Sequence, residues 1–282
     1  MIPGGSSRVM KADAPSTREG RQYHIQCKKG DLARYLLVPG DPERVPKIAE
    51  QWDQVRDIAF HREFRSVTGR YKGTPLSAIS SGIGPACMAI VVHEATALGV
   101  DTFVRVGSTG AVGPGINCGD LVISSAAVRL DGASHSYVLP EYPAHASYEV
   151  VLALVEAAER LDVRYHVGIT ATTADFYAGQ QRPSPHMALP SGARSLITDL
   201  QQAKVLNVDM ECATLFTLSS LFNARAGAVC AVYANRVTNV FDPGAGEADC
   251  IHVANEAIAT LRAWDDRKKT QGKKHFFPSL LK

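Results

Sequence analysis

At 282 residues the chain has room for one large α/β domain or two small ones, and its 45% hydrophobic and 21% charged content is ordinary for a soluble globular enzyme. A net charge of +2, from 30 basic and 28 acidic residues, gives no reason to expect nucleic acid or an anionic membrane as partner. No apolar run is long enough to span a bilayer, and the polar first twenty residues lack the apolar core of a secretory signal. The six cysteines, Cys27, Cys87, Cys118, Cys212, Cys230 and Cys250, form no CxxC or zinc spacing, so most of them read as small buried hydrophobes in a reduced, cytoplasmic compartment.

In chain order, residues 1–21 show no periodicity and read as a flexible arm, with Tyr23-His24-Ile25 as the first ordered piece. Tyr35-Leu36-Leu37-Val38 is a short apolar strand that ends in Pro39-Gly40-Asp41-Pro42-Glu43-Arg44. Asp41 reads as an N-cap and Pro42 as the first residue of a helix reaching about Gln51. Strands are expected over 55–61, 64–71 and 76–80, the last two joined by a tight turn at Lys72-Gly73-Thr74. After Ser81-Gly82-Ile83-Gly84-Pro85 comes a helix with Met88, Val91, Val92, Ala95 and Leu98 on one stripe, stopped at Gly99. The strand 103–106 follows, so 76–106 is a strand–helix–strand unit, which predicts parallel neighbours.

Further strands are expected over 121–130, 167–171, 205–208 and 226–237, and helices over 148–161, 211–223 and 248–264. Residues 183–192 hold three prolines and read as a loop or lid. There is no internal repeat and no composition break. The fold class is therefore α/β: a single domain over 22–266 with a twisted mixed sheet flanked by helices, an arm before it and a basic, solvated tail over 267–282.

Several strand ends share one chemical character. Arg105 interrupts the apolar Phe103-Val104-Val106, and a buried guanidinium needs an acidic partner or an anion. The next residues, Gly107-Ser108-Thr109-Gly110, offer close backbone approach and two hydroxyls. Gly40 precedes a helix start, where free N–H groups favour an anion, and Arg44 lies one turn in. Taken singly, each is also satisfied by a capped turn or a structural ion pair.

Together, the strings Pro39-Gly40-Asp41-Pro42-Glu43-Arg44-Val45, His61-Arg62-Glu63-Phe64 and Ser81-Gly82-Ile83-Gly84 resemble the nucleoside phosphorylase family, uridine phosphorylase type. So do Arg105 to Ala111, the run Val128-Arg129-Leu130-Asp131-Gly132-Ala133, Phe176-Tyr177-Ala178-Gly179-Gln180-Gln181-Arg182 and Asn207-Val208-Asp209-Met210-Glu211. They occur in family order from about His24 to about Leu261. The resemblance implies a partly barrel-like sheet and reversible phosphorolysis of uridine, with deoxyuridine and thymidine as further candidates. Inorganic phosphate is then a co-substrate and no cofactor is required.

It also implies roles. Gly40, Arg44, Arg105 and Ser108 would hold phosphate, with Arg62 entering from a neighbouring subunit. Thr109, Met210 and Glu211 would hold ribose, and His24 would reach its 5′-hydroxyl across a dimer interface. Gly110, Phe176, Gln180 and Arg182 would hold the base, with Arg236 supporting them from behind. Arg182, Glu211 and Arg105 would carry the chemistry by charge stabilisation. Asp209 stands where a glutamate is commoner, and no direct substrate contact is expected of it. Purine-cleaving relatives carry an Asp after the late apolar strand; here the residues are Ala234-Asn235-Arg236. Some members bind a cation between subunits through a glutamate at the place of Glu63, using a small hydroxyl residue where this chain has Cys87. A homo-oligomer, at least a dimer and in some relatives a hexamer, follows from the two borrowed residues.

The nearest rival readings are a purine nucleoside phosphorylase or a nucleoside hydrolase. A non-catalytic nucleoside-binding module is a rival of another class. A dinucleotide-binding oxidoreductase lacks its GxGxxG after the first strand.

Overall fold

The computed structural model describes residues 12–281; residues 1–11, within the expected arm, and residue 282 lie outside it. Among the described residues, eleven strands form one mixed sheet. They are β1 (Tyr35–Val38), β2 (Asp53–His61), β3 (Phe64–Tyr71), β4 (Thr74–Ile79), β5 (Thr102–Ala111), β6 (Leu121–Leu130), β7 (Ala144–His145), β8 (Tyr165–Thr173), β9 (Asn207–Asp209), β10 (Arg225–Asn235) and β11 (Val240–Phe241). Six α-helices flank it: α1 (Arg44–Ala49), α2 (Pro85–Ala97), α3 (Tyr148–Arg160), α4 (Leu196–Gln202), α5 (Cys212–Leu221) and α6 (Glu247–Thr270).

The pairing β10–β6–β8–β9–β5 returns to β10, because β10 pairs with β5 over its whole length. That closes part of the sheet into a barrel, while β1, β4, β3 and β2 extend from β5 as an open wing. The expected strand–helix–strand unit is present as β4–α2–β5. Its two strands are not neighbours, however: β1 lies between them, parallel to both. One apolar cluster packs α1, α3 and α6 on the sheet, and a second packs α2 and α5 on its other side. The helical stripes supply them: Met88, Val91, Val92 and Ala95 are buried in α2, and Ile251, Ala254, Ile258 and Leu261 in α6.

Besides the short strands β7 and β11, which the sequence does not announce, four elements depart from expectation. β5 does not end at Val106 but runs to Ala111, so Ser108, Thr109 and Gly110 lie on a strand rather than in a loop. A β-carbon on Gly107 would lie 2.7 Å from the Cys230 sulfur and 2.9 Å from the Arg105 guanidinium carbon, so this glycine serves strand packing. α1 begins at Arg44, because the Asp41 side chain accepts the Glu43 N–H (2.9 Å) in a turn that precedes the helix. The proline-rich stretch is succeeded by α4, whose Leu200 packs with Val112, Ala171, Val205 and Val208.

The tail is the fourth. α6 continues to Thr270, and the chain then folds back so that Phe276 stacks on Trp264 (centroids 3.9 Å apart) and Leu280 is buried. Glu149 holds the turn, accepting from the Phe276 N–H (2.9 Å) and from Lys268 (2.6 Å). Phe276→Ala should therefore cost about 3 kcal/mol of stability, the usual loss for a buried aromatic. Denaturant unfolding would measure it, and Trp264 emission should shift to the red. At the other end, the described part of the arm is tied down by a bridge between Ser16 and Gln22 and by Arg21 bonding to the Gln26 carbonyl (2.8 Å).

Candidate active site

A cavity of about 720 Å³ opens where β1, β4, β8, β9 and β10 present their carboxyl ends beside the length of β5. It brings together every residue expected at the site except His24, Arg62 and Arg236. Gly40 comes from the end of β1 and Arg44 from α1. Arg105, Ser108, Thr109 and Gly110 come from β5. Phe176, Gln180 and Arg182 come from the chain after β8, Met210 and Glu211 from the turn between β9 and α5, and Glu63 from the β2–β3 hairpin.

Arg105 sits at the floor, 4% exposed. Its Nε meets Asp209 Oδ2 (3.1 Å) and its Nη2 meets Glu211 Oε2 (2.5 Å). Burial works against its charge, but Glu211 and Asp209 hold it firmly protonated. Its Nη1 has no hydrogen-bond partner among the described residues. A buried, charged N–H₂ without an acceptor is costly, and an anion in the cavity would satisfy it.

Asp209 also accepts from the Thr172 hydroxyl (2.7 Å) and from the Cys212 N–H (3.0 Å), so it orients Arg105 and caps α5 at once. That network is a structural duty, and Asp209 also lines the cavity. Glu211 accepts the Gly84 N–H at 2.7 Å through Oε1. Burial raises its carboxyl above the usual range, with Arg105 opposing. The Thr109 hydroxyl is engaged by the sheet, donating to Val208 O (2.7 Å) and accepting from Asn207 Nδ2 (2.7 Å).

At the other end, the Arg182 guanidinium lies 3.6 Å from the centre of the Phe176 ring. The face expected to be open for a base is therefore covered by a cation on one side. Arg182 Nη1 donates to Phe176 O and to Gln180 Oε1, both at 2.6 Å, and Gln180 Nε2 donates to Thr173 Oγ1 (3.2 Å). Arg236 lies outside the cavity lining and holds this segment by donating to Gln180 O (2.7 Å). Burial, then the charge of Arg236, lowers Arg182 to about 10, still cationic at neutral pH.

His24 and Arg62 do not line the cavity. His24 Nδ1 bonds Glu94 Oε1 at 2.6 Å, and Arg62 lies over the Tyr23 ring (5.9 Å). Among the described residues, no three His, Cys, Asp or Glu side chains converge as a metal cluster. Cys87 Sγ donates to Glu63 Oε1 at 3.4 Å, and burial with the Glu63 charge pushes the thiol up to about 11. Tyr233 and Phe241 also line the cavity, and sequence reasoning missed both.

A family model described as the phosphorylase superfamily matches residues 34–264. The chain belongs to that family. It is 57% identical over 273 residues to a uridine phosphorylase of Thermococcus kodakarensis, covering 97% of this chain and 98% of that one. It is 42% identical to a uridine phosphorylase of Haemophilus influenzae, over 76% of this chain and 86% of that one. A guanosine phosphorylase of Halorubrum lacusprofundi is 36% identical, over 77% of this chain and 85% of the relative. The family match spans β5 and its arginine as well as the turn carrying Glu211. No helix among the described residues is long and apolar enough to cross a membrane.

Proposed function

We propose that this chain catalyses the reversible phosphorolysis of uridine to uracil and ribose 1-phosphate. The observation that carries the reading is the convergence of Gly40, Arg44, Arg105 and Ser108 on one cavity, with the Arg105 Nη1 left without a partner among the described residues. These are donors suited to a phosphate dianion. The relatives named as uridine phosphorylases support the choice of base. So does the last residue of β10: Asn235 is no acid. Its Nδ2 donates to Ile116 O (2.7 Å), and its Oδ1 accepts the N–H groups of Val237 and Thr238 (2.9 and 2.8 Å). It shapes a turn and offers no proton to a purine N7.

In the proposed mechanism, a phosphate oxygen bonds to C1′ as the C1′–N1 bond breaks. The bonding pair leaves on uracil, spread over N1 and the two carbonyl oxygens. Arg44 and Arg105 hold the phosphate against the sugar, and Glu211, with Met210 beside it, grips the ribose hydroxyls. Gln180 and Arg182 stabilise the leaving anion, whose charge is larger in the transition state than in the substrate. Covalent enzyme chemistry and a redox cofactor have no part in it. His24 and Arg62 enter from a partner protomer in a cytoplasmic homo-oligomer, and a cation through Glu63 has no step in the reaction.

The test is base release from uridine, deoxyuridine, thymidine, inosine and guanosine, each with and without phosphate. Uracil release that requires phosphate, with little or none from the purine nucleosides, is expected. Phosphate-independent release would make the chain a hydrolase, and faster release from guanosine or inosine would make it a purine enzyme. Binding without turnover would leave a nucleoside-binding module.

A further inference from the structure

Arg44 is held by more than its own helix. Its Nε donates to Glu247 Oε2 at 2.9 Å, and Nη2 reaches the same oxygen at 2.8 Å. Nη2 also donates to the Tyr233 hydroxyl (3.1 Å), and Nη1 to Val106 O (3.2 Å). Tyr233 in turn donates to Glu247 Oε2 at 2.6 Å, and Lys47 donates to Oε1 at 2.6 Å. The Glu247 carboxylate is thus the hub of three donors. A guanidinium has five N–H bonds and three of them donate here, so Arg44 keeps one on Nη1 for a ligand and one on Nη2 beside Glu247.

Glu247 is itself pinned. It opens α6 directly after Gly246, whose φ is +71°. A β-carbon on Gly246 would lie 2.4 Å from the Gly119 carbonyl oxygen, so only glycine fits there. The start of α6 therefore rests on the Gly119 backbone and presents Glu247 to Arg44 from a fixed point. Glu247 is not itself among the residues lining the cavity, whereas Arg44 and Tyr233 are.

We infer that Glu247, with Tyr233, is a positioning residue that fixes the Arg44 guanidinium for the phosphate co-substrate. The inference rests on the phosphate role proposed for Arg44. The carboxylate has two opposed effects on a bound oxyanion. It repels the anion, and it removes the rotamer freedom that Arg44 would otherwise lose on binding it. Glu247 already carries three donors, so much of its charge is spent locally, and orientation outweighs repulsion.

The test compares Glu247→Ala, Glu247→Gln and Tyr233→Phe with the unaltered protein. It measures KM for phosphate, KM for uridine and kcat, and inorganic phosphate binding by calorimetry without nucleoside. Glu247→Ala should raise the phosphate KM and dissociation constant about tenfold and leave the uridine KM within about twofold. Glu247→Gln, which keeps an acceptor oxygen for the Arg44 fork, should recover a large part of the loss. Tyr233→Phe loses one hydroxyl and should weaken phosphate a few-fold, a readout that stands even where Glu247→Ala folds poorly. Unchanged or tighter phosphate binding in the Glu247→Ala and Tyr233→Phe variants would overturn the inference, making Glu247 a mere competitor for Arg44. Parallel rises in both KM values would overturn it too, as a sign of general damage. Loss of phosphate-dependent turnover in the unaltered protein would refute the activity, while calorimetry would still report on the anchor.

Discussion

Glu211→Gln is expected to lower uracil release from uridine by about 10²–10³-fold, a loss typical of removing one preorganised charge-stabilising group. The carboxylate accepts from two fixed donors, Gly84 N–H at 2.7 Å and Arg105 Nη2 at 2.5 Å. An amide of the same shape has one oxygen for these two donors, and its NH₂ must face the other. It also loses the charge that would steady a ribosyl cation. Arg105 keeps Asp209, so the fold should survive, and circular dichroism and melting would check that it does. Activity within tenfold of the unaltered protein would remove Glu211 from the proposed mechanism.

Arg182→Ala should be comparably severe, again about 10²–10³-fold, with kcat falling more than KM rises. Two effects combine. The cation that would meet the developing charge on the pyrimidine is lost. The segment from Phe176 to Gln180 also loses the guanidinium that ties its carbonyl and its amide together at 2.6 Å each. A substrate change separates them. 5-Fluorouridine has a leaving base whose anion is intrinsically more stable, so it should suffer less from Arg182→Ala than uridine does. Equal losses on both substrates would mean that Arg182 only shapes the pocket.

Much of this was legible in the residues because local physics dictated it. The strand 64–71 and its partner follow from apolar alternation on either side of Lys72-Gly73, and both turn residues do take positive φ, 47° and 77°. The inward stripes of α2 and α6 follow from helical spacing alone. Where the reading failed, long-range contacts had overruled local cues. Gly107 and Gly110 look like breakers, yet pairing with β10 on one edge and β9 on the other carries β5 through them. The polar run after Trp264 looks like a solvated tail, yet a buried Lys268–Glu149 contact and the Phe276 stack draw it back. α4 sits behind three prolines and shows itself only by the cluster it completes.

The site divides along the same line. Residues at strand ends announced themselves, since glycine, hydroxyl and arginine there have few other uses. Arg105 was expected to need either an acid or an anion; it has two acids and still keeps Nη1 unpartnered. The support for Arg44 was illegible because Glu247 lies 203 positions away and looks like an ordinary acidic first-turn residue. The sequence presents Phe176 as an open face, and nothing in its neighbourhood in the chain signals that Arg182 lies across it.

The most direct measurement is a crystal structure of the protein grown with uridine and sulfate, the latter standing in for phosphate. The account requires a sulfate oxygen within hydrogen-bonding distance of Arg105 Nη1, with Gly40 and Arg44 on its other side. It also requires a pyrimidine carbonyl facing Arg182 in the same cavity, with the sugar between them. Sulfate and pyrimidine settled in separate hollows, with Arg105 Nη1 still bare, would contradict it.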